Sequence, residues 1–229
     1  KKYFKLPLFD RQVLENIMEL SAFKTLFTLN RDIFIRTMCL TLTLASFILL
    51  GTRFGTEILA ANAVLMNLQN LTAYGLDGFA QAAEVLVGKQ IGKKSVANLR
   101  KAVIISSKWA VYTAFIFSGF YYLFGEAIIN LLTNIETIRT ISNEYLIWVI
   151  ILPLLSIWSF QLDGIFIGAT AGSSMRNGMI ISAICYIISI LVFMPLWGNN
   201  GLWFSYALFI VMRALTLVVK YPEIEKRAL

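Results

Sequence analysis

Asn67, Asn70, Tyr74, Asp77, Gln81 and Glu84 follow one another at spacings of 3, 4, 3, 4 and 3. An α-helix presents all six on one face, with Leu68, Leu71, Leu76, Phe79 and Ala80 on the others. Two carboxylates in such a stripe, set among apolar residues, can take a proton, a sodium ion or a cationic substrate. Asp77, one turn from Tyr74 and followed by Gly78, is the candidate carboxylate, with Asn67, Asn70 and Tyr74 as lining; a carboxylate satisfied by a neighbouring helix is the alternative. A second stripe runs Ser156, Ser159, Asp163 at spacings of 3 and 4. Ser159 and Asp163 join the candidate binding residues, and Gly164 and Gly168 beside them allow a second helix to come close. Histidine is absent. With no nucleophile elbow, phosphate-cradling glycine loop or metal-ligand cluster in the sequence either, the reading is not an enzyme and needs no cofactor.

The elements that hold these residues follow from composition. The chain is 58% hydrophobic and 14% charged, with a mean hydropathy of +0.73, where a soluble domain has about a quarter of its residues charged. Several apolar runs approach the ~20 residues that cross the hydrocarbon layer. The expected fold class is an all-α membrane protein with six transmembrane helices, at about 31–52, 57–89, 102–125, 138–169, 178–195 and 202–220. Residues 1–30 read as a cytoplasmic amphipathic connector and 221–229 as a cytoplasmic tail. GEAIINLLTNIET (125–137) and AGSSMRN (171–177) read as connections, and Pro153 interrupts the fourth span. Cys39 and Cys185 fall inside apolar runs and read as buried thiols. The chain opens at Lys1 with no initiator Met or signal peptide and reads as starting inside a longer protein.

Charge tests the six-span count. With residues 1–30 inside, fifteen lysines and arginines fall on inner loops and ends, and only Arg53 and Arg139 fall outside. That asymmetry fits the positive-inside rule, with both termini of the chain cytoplasmic in the inner (plasma) membrane. The net charge of +7 is therefore a topology signal and calls for no nucleic-acid partner. Trp197 and Trp203 flank the last outer turn as interface aromatics. Arg36, Glu84, Asp163 and Arg213 then lie roughly 8–10 Å inside the cytoplasmic boundary, and Asp77 roughly 18 Å, at 1.5 Å rise per residue. Buried unpaired, each would cost at least ~2.5–3.5 kcal/mol. Two acids and two arginines at one depth suggest a charge network. It is either a fixed tie or a gate that breaks and reforms, unless some of its members reach the interface by snorkelling.

LNRDIFIRT (29–37), ILAANAVLMNLQNLTAYGLDGFAQAAEVLVGKQIG (58–92), YLIWVIILPLL (145–155), LDGIFIGAT (162–170) and MRN (175–177) together resemble the DinF-like branch of the MATE transporters. The resemblance covers about residues 25–220 and implies one six-helix lobe, the second, of a twelve-helix transporter whose lobes are parallel repeats. It implies export of cationic or amphipathic compounds in exchange for protons or sodium ions, by rocking of the lobes around a central cavity. The implied partners are an N-terminal six-helix lobe, the lipid bilayer and a small-molecule substrate. Asp163 matches the tenth-span acid of sodium-linked relatives. For their seventh-span acid, span A offers only Thr37, Thr41, Thr43 and Ser46 beyond Asp32. The proton acceptor of proton-linked relatives lies on the first span, outside this chain, while Asp77 and Glu84 match acids typical of the branch. Two other readings stay open: a lipid-linked precursor flippase of the same superfamily, which needs a strongly cationic cavity, and a non-transporting membrane assembly subunit, which predicts no open cavity.

Overall fold

The computed structural model describes residues 20–229 and contains six long helices joined by tight turns, with no strand among the described residues. They are α1 (Leu20–Gly51), α2 (Thr56–Gly92), α3 (Val96–Leu132), α4 (Glu136–Gly168), α5 (Gly172–Trp197) and α6 (Asn199–Lys226). A short 3-10 turn, Thr52–Phe54, links α1 to α2. Five stretches are long and apolar enough to cross a membrane: Leu26–Phe54, Val96–Leu132, Glu136–Gly168, Gly172–Trp197 and Asn199–Lys226. The α2 helix falls short of that standard because its polar stripe sits in the middle of its apolar run.

Helices outrun the apolar segments that suggest them. The α1 helix begins by Leu20, before the expected boundary at residue 30, and the connector's residues 1–19 lie outside the described residues. The α3 helix continues to Leu132, which leaves only 133–135 as a connection. There Arg139 Nε and Nη2 donate to the Thr133 and Asn130 carbonyls at 2.8 and 3.0 Å, completing acceptors that a helix end leaves open. AGSSMRN is mostly the first turn of α5, the true turn being 169–171. The tail 221–229 is helical to Lys226. A backbone hydrogen bond costs no apolar surface, so helices persist beyond the membrane boundary wherever nothing ends them.

The turn between α5 and α6 is the single residue Gly198, with φ +56° and ψ −130°. That region is open essentially to glycine alone. Pro153 lies within an α4 that stays helical on both sides. Proline removes the donor to Val149 O, and beside it the Ile150 carbonyl accepts a hydrogen bond from Ser118 Oγ of α3 at 2.7 Å.

The helices form two groups of three. The α2, α3 and α4 helices pack on one another, and α5 packs on both α6 and α1; the groups meet chiefly along α4 and α6. The chain neighbours α1 and α2 touch little. Phe47 of α1 and Trp203 of α6 meet edge-on in the core, ring centroids 4.9 Å apart, a pairing worth ~0.5–1.5 kcal/mol beyond burial. Trp203 is fully buried, not at an interface, and of the two tryptophans flanking the turn Trp197 alone is exposed. Trp203 Nε1 donates to Asn62 Oδ1 at 2.9 Å, and Asn62 and Asn199 exchange two amide hydrogen bonds at 2.7 and 3.0 Å. The amide hydrogen bonds, unavailable from lipid, outweigh the indole's preference for the interface. Cys39 and Cys185 are partly buried free thiols.

The candidate cavity and its charge network

Asp163 owes its position to the glycines that follow it. A Cβ on Gly164 would lie 2.0 Å from the Ala80 carbonyl oxygen, and one on Gly168 would lie 2.3 Å from that of Glu84. Only hydrogen fits at either place. The α4 backbone therefore lies against α2, the small-residue contact that stands in for hydrophobic driving force within lipid. This contact turns Asp163 toward α1 and α6, where two arginines meet it. Arg36 Nη2 of α1 donates to Asp163 Oδ2, and Arg213 Nη2 of α6 donates to the same oxygen at 2.5 Å. Asp163 and Arg213 are both 6% exposed, so the pairing is what makes their charges tolerable. The Arg213 guanidinium also lies 6.0 Å from the Phe160 ring centroid and 5.7 Å from that of Phe209, within cation–π range.

Where α1 and α2 diverge, a cavity of about 350 Å³ opens between α1, α2, α4 and α6. Arg36, Asp163 and Arg213 form one side. The α2 stripe forms the other: Asn70, Tyr74, Asp77, Gln81 and Glu84 all line it. The six-residue face thus stays together but loses its first member, since Asn67 is exposed outside the lining. Tyr74 is 77% exposed at the rim. Asp77 is exposed and accepts a 3.0 Å hydrogen bond from Gln81 Nε2.

The four expected network members divide. Arg36, Asp163 and Arg213 are bonded together. Glu84 lines the cavity but has no ion-pair partner within 4 Å among the described residues. Its side chain leaves α2 on the cavity side, while its own carbonyl takes the Gly168 contact. Ser159 is fully buried outside the cavity, donating at 2.8 Å to the Ser156 carbonyl of its own helix. Spacing gives the face of a helix, but a serine can satisfy itself on the preceding turn.

Two groups escaped the sequence reading. Gln69 lines the cavity at 3% exposure, with its Oε1 buried and unpartnered; an amide this deep in an apolar run was the signal, though it lies off the stripe. Asp32 is also buried and accepts from Arg176 Nη1 at 2.5 Å and from Arg31 Nη2 at 3.1 Å. This second ion cluster fastens the start of α5 to α1. Its residues stand in the LNRDIFIRT and MRN segments, which topology puts at one end of the bundle.

The MatE family model matches residues 33–194. The DNA damage-inducible protein F of Escherichia coli (strain K12) is 40% identical over 217 residues, which are 95% of this chain and 47% of that protein. A probable multidrug resistance protein NorM of Bacillus cereus is 22% identical over 189 residues, 80% of this chain and 41% of that protein. A solved MOP superfamily transporter from Pyrococcus furiosus Vc1 has the same fold, with a TM-score of 0.68 at 16% identity over 86% of this chain and 44% of the other. The chain spans about half the length of the curated relatives it matches.

Proposed function

The chain belongs to the MatE family, and from that premise we propose that it is half of a secondary antiporter. It exports cationic or amphipathic compounds in exchange for protons or sodium ions. Its partner is a second six-helix lobe facing the α1–α2 opening, and both ends of the chain lie on the cytoplasmic side of the inner membrane. The basic residues of the α2–α3 turn, the α5 start and the α6 end support that orientation.

One observation carries the reading: a carboxylate-lined cavity opens on the face where α1 and α2 part. Asp77 and Glu84 line it with no cationic partner within 4 Å among the described residues, so they can accept a proton, a sodium ion or a cationic group. Asp163 is a poor sodium ligand in this arrangement, because two guanidiniums occupy its Oδ2. Its role is to hold α1, α4 and α6 together at one depth. With three acids to two arginines, the lining supports a cation exporter over a pyrophosphate flippase, and an open cavity is not what an assembly subunit needs.

The test is Asp77→Asn in the full-length protein. Drug resistance should fall by roughly tenfold, the factor that ~1.4 kcal/mol of lost charge interaction gives, with membrane expression unchanged on a blot. Wild-type resistance at wild-type expression removes Asp77 from the site.

A further inference from the structure

The charge around Asp163 does not balance. One carboxylate oxygen receives two guanidiniums, which leaves this corner of the cavity one positive charge in excess. Each arginine uses only Nη2 on Asp163. Arg36 Nε and Arg213 Nε are buried donors with no acceptor, although a guanidinium has five N–H groups arranged to grip a carboxylate by two of them. Burying an unanswered charged donor is costly, and Arg213 is 6% exposed. Beyond Asp163, Arg213 is flanked by the rings of Phe160 and Phe209 and by no second acid within 4 Å among the described residues. Both arginines line the cavity; their Nε groups are covered, so an acceptor within the cavity meets the guanidiniums at the Nη groups that Asp163 leaves free. The acids across the cavity, Asp77 and Glu84, are seven residues apart on α2, about 10 Å along the helix, and no ion pair connects either to these arginines.

We propose that Arg36 and Arg213 form an anion subsite that takes the carboxylate of an amphoteric substrate, while its cationic centre lies along Asp77 and Glu84. The proposal rests on the export reading and narrows its substrate class. On binding, the incoming carboxylate takes the free edge of one or both guanidiniums, and Asp163 keeps its Nη2 contacts or yields one of them. No bond is made or broken apart from hydrogen bonds. A molecule with a cation alone leaves the arginine corner as it is and gains nothing there.

The probes are rhodamine B, which has a carboxylate beside its cationic xanthene, and its methyl ester, which lacks only that charge. Binding to purified full-length protein in detergent is followed by fluorescence anisotropy. The acid should bind about tenfold tighter than the ester. Arg36→Gln should bring the two together by weakening the acid and sparing the ester, while Lys108→Gln, on the exposed outer face of α3, should keep the preference. Equal binding of acid and ester to the wild type overturns the subsite, as does an undiminished preference in Arg36→Gln. If Arg36→Gln binds neither dye, benzoate competition on the wild type decides. Displacement of the acid alone upholds the subsite, and displacement of both dyes or of neither overturns it. Export of the two dyes from cells is measured separately. Equal export of both with no binding preference removes the subsite and leaves the antiporter reading standing. A binding preference with no export of either removes the antiporter reading and leaves the subsite.

Discussion

Replacing single glycines with alanine along the α2–α4 contact should give a graded loss of stability set by distance. An ordinary carbon–oxygen approach is about 3.3 Å. The added Cβ would stand 2.0 Å from a carbonyl oxygen at Gly164, 2.3 Å at Gly168 and 3.2 Å at Gly88, and at Gly78 it meets nothing within 4 Å. The helices must therefore part by about 1.3 Å for Gly164→Ala, about 1.0 Å for Gly168→Ala and about 0.1 Å for Gly88→Ala. The obstacle in all three is backbone, which cannot rotate away. Overpacking of this kind costs about 1–3 kcal/mol, whereas Gly78→Ala should gain roughly 0.5–1 kcal/mol from helix propensity. The propensity gain is common to all four helical sites, so the extremes of the series differ by about 1–3 kcal/mol. The assay is equilibrium unfolding of the full-length protein in mixed micelles with increasing dodecyl sulfate, followed by tryptophan fluorescence. The expected order of midpoints is Gly78→Ala highest, then Gly88→Ala, Gly168→Ala and Gly164→Ala. Gly164→Ala as stable as Gly78→Ala would mean that the two backbones do not touch there, and the placement of Asp163 argued from that contact would fall with it.

Two further outcomes follow from the polar pairs. Arg213→Asp should abolish accumulation of the protein by setting two buried carboxylates together, a change on the scale of the ~3–5 kcal/mol seen when a buried pair is broken. Adding Asp163→Arg should restore part of it on a membrane blot, and adding Glu84→Arg should not; rescue by Glu84→Arg alone would place the partner of Arg213 wrongly. Asn62→Leu removes the acceptor of Trp203 Nε1 and both amide bonds to Asn199. It should lower stability by about 1–3 kcal/mol and shift the tryptophan emission, and an unchanged spectrum would show that the indole is not held there.

The helices were legible because a membrane imposes one requirement, apolar length, and the inner basic residues alternate with the turns. Their ends were not, since hydrophobicity marks the lipid boundary and not the last backbone bond. The meeting of Asp163 with Arg36 and Arg213 was legible from depth alone, because buried charges must find opposite charges. Depth could not say which acid would be chosen. Gly164 and Gly168 turn Asp163 toward α1 and α6, while Glu84 stays on the α2 face of the cavity. Asn67 and Ser159 lie outside this cavity for a related reason: spacing groups residues on a face but leaves open what that face looks at. The Asp32–Arg176 pair joins α1 to α5, a contact between helices distant in the chain that no local pattern announces.

That long-range contact has a consequence for how the chain is made. The α1 helix is synthesised before the other five, yet its chief packing partner does not begin until Gly172. Until then its lipid-facing side includes the surface that α5 will cover. Arg36 has no counter-charge before Asp163 arrives, and Asp32 has only its neighbour Arg31 before Arg176 arrives. The α2–α4 group, by contrast, has all its helices as soon as α4 is complete. Of these six helices, then, α1 waits longest during synthesis for its chief packing partner.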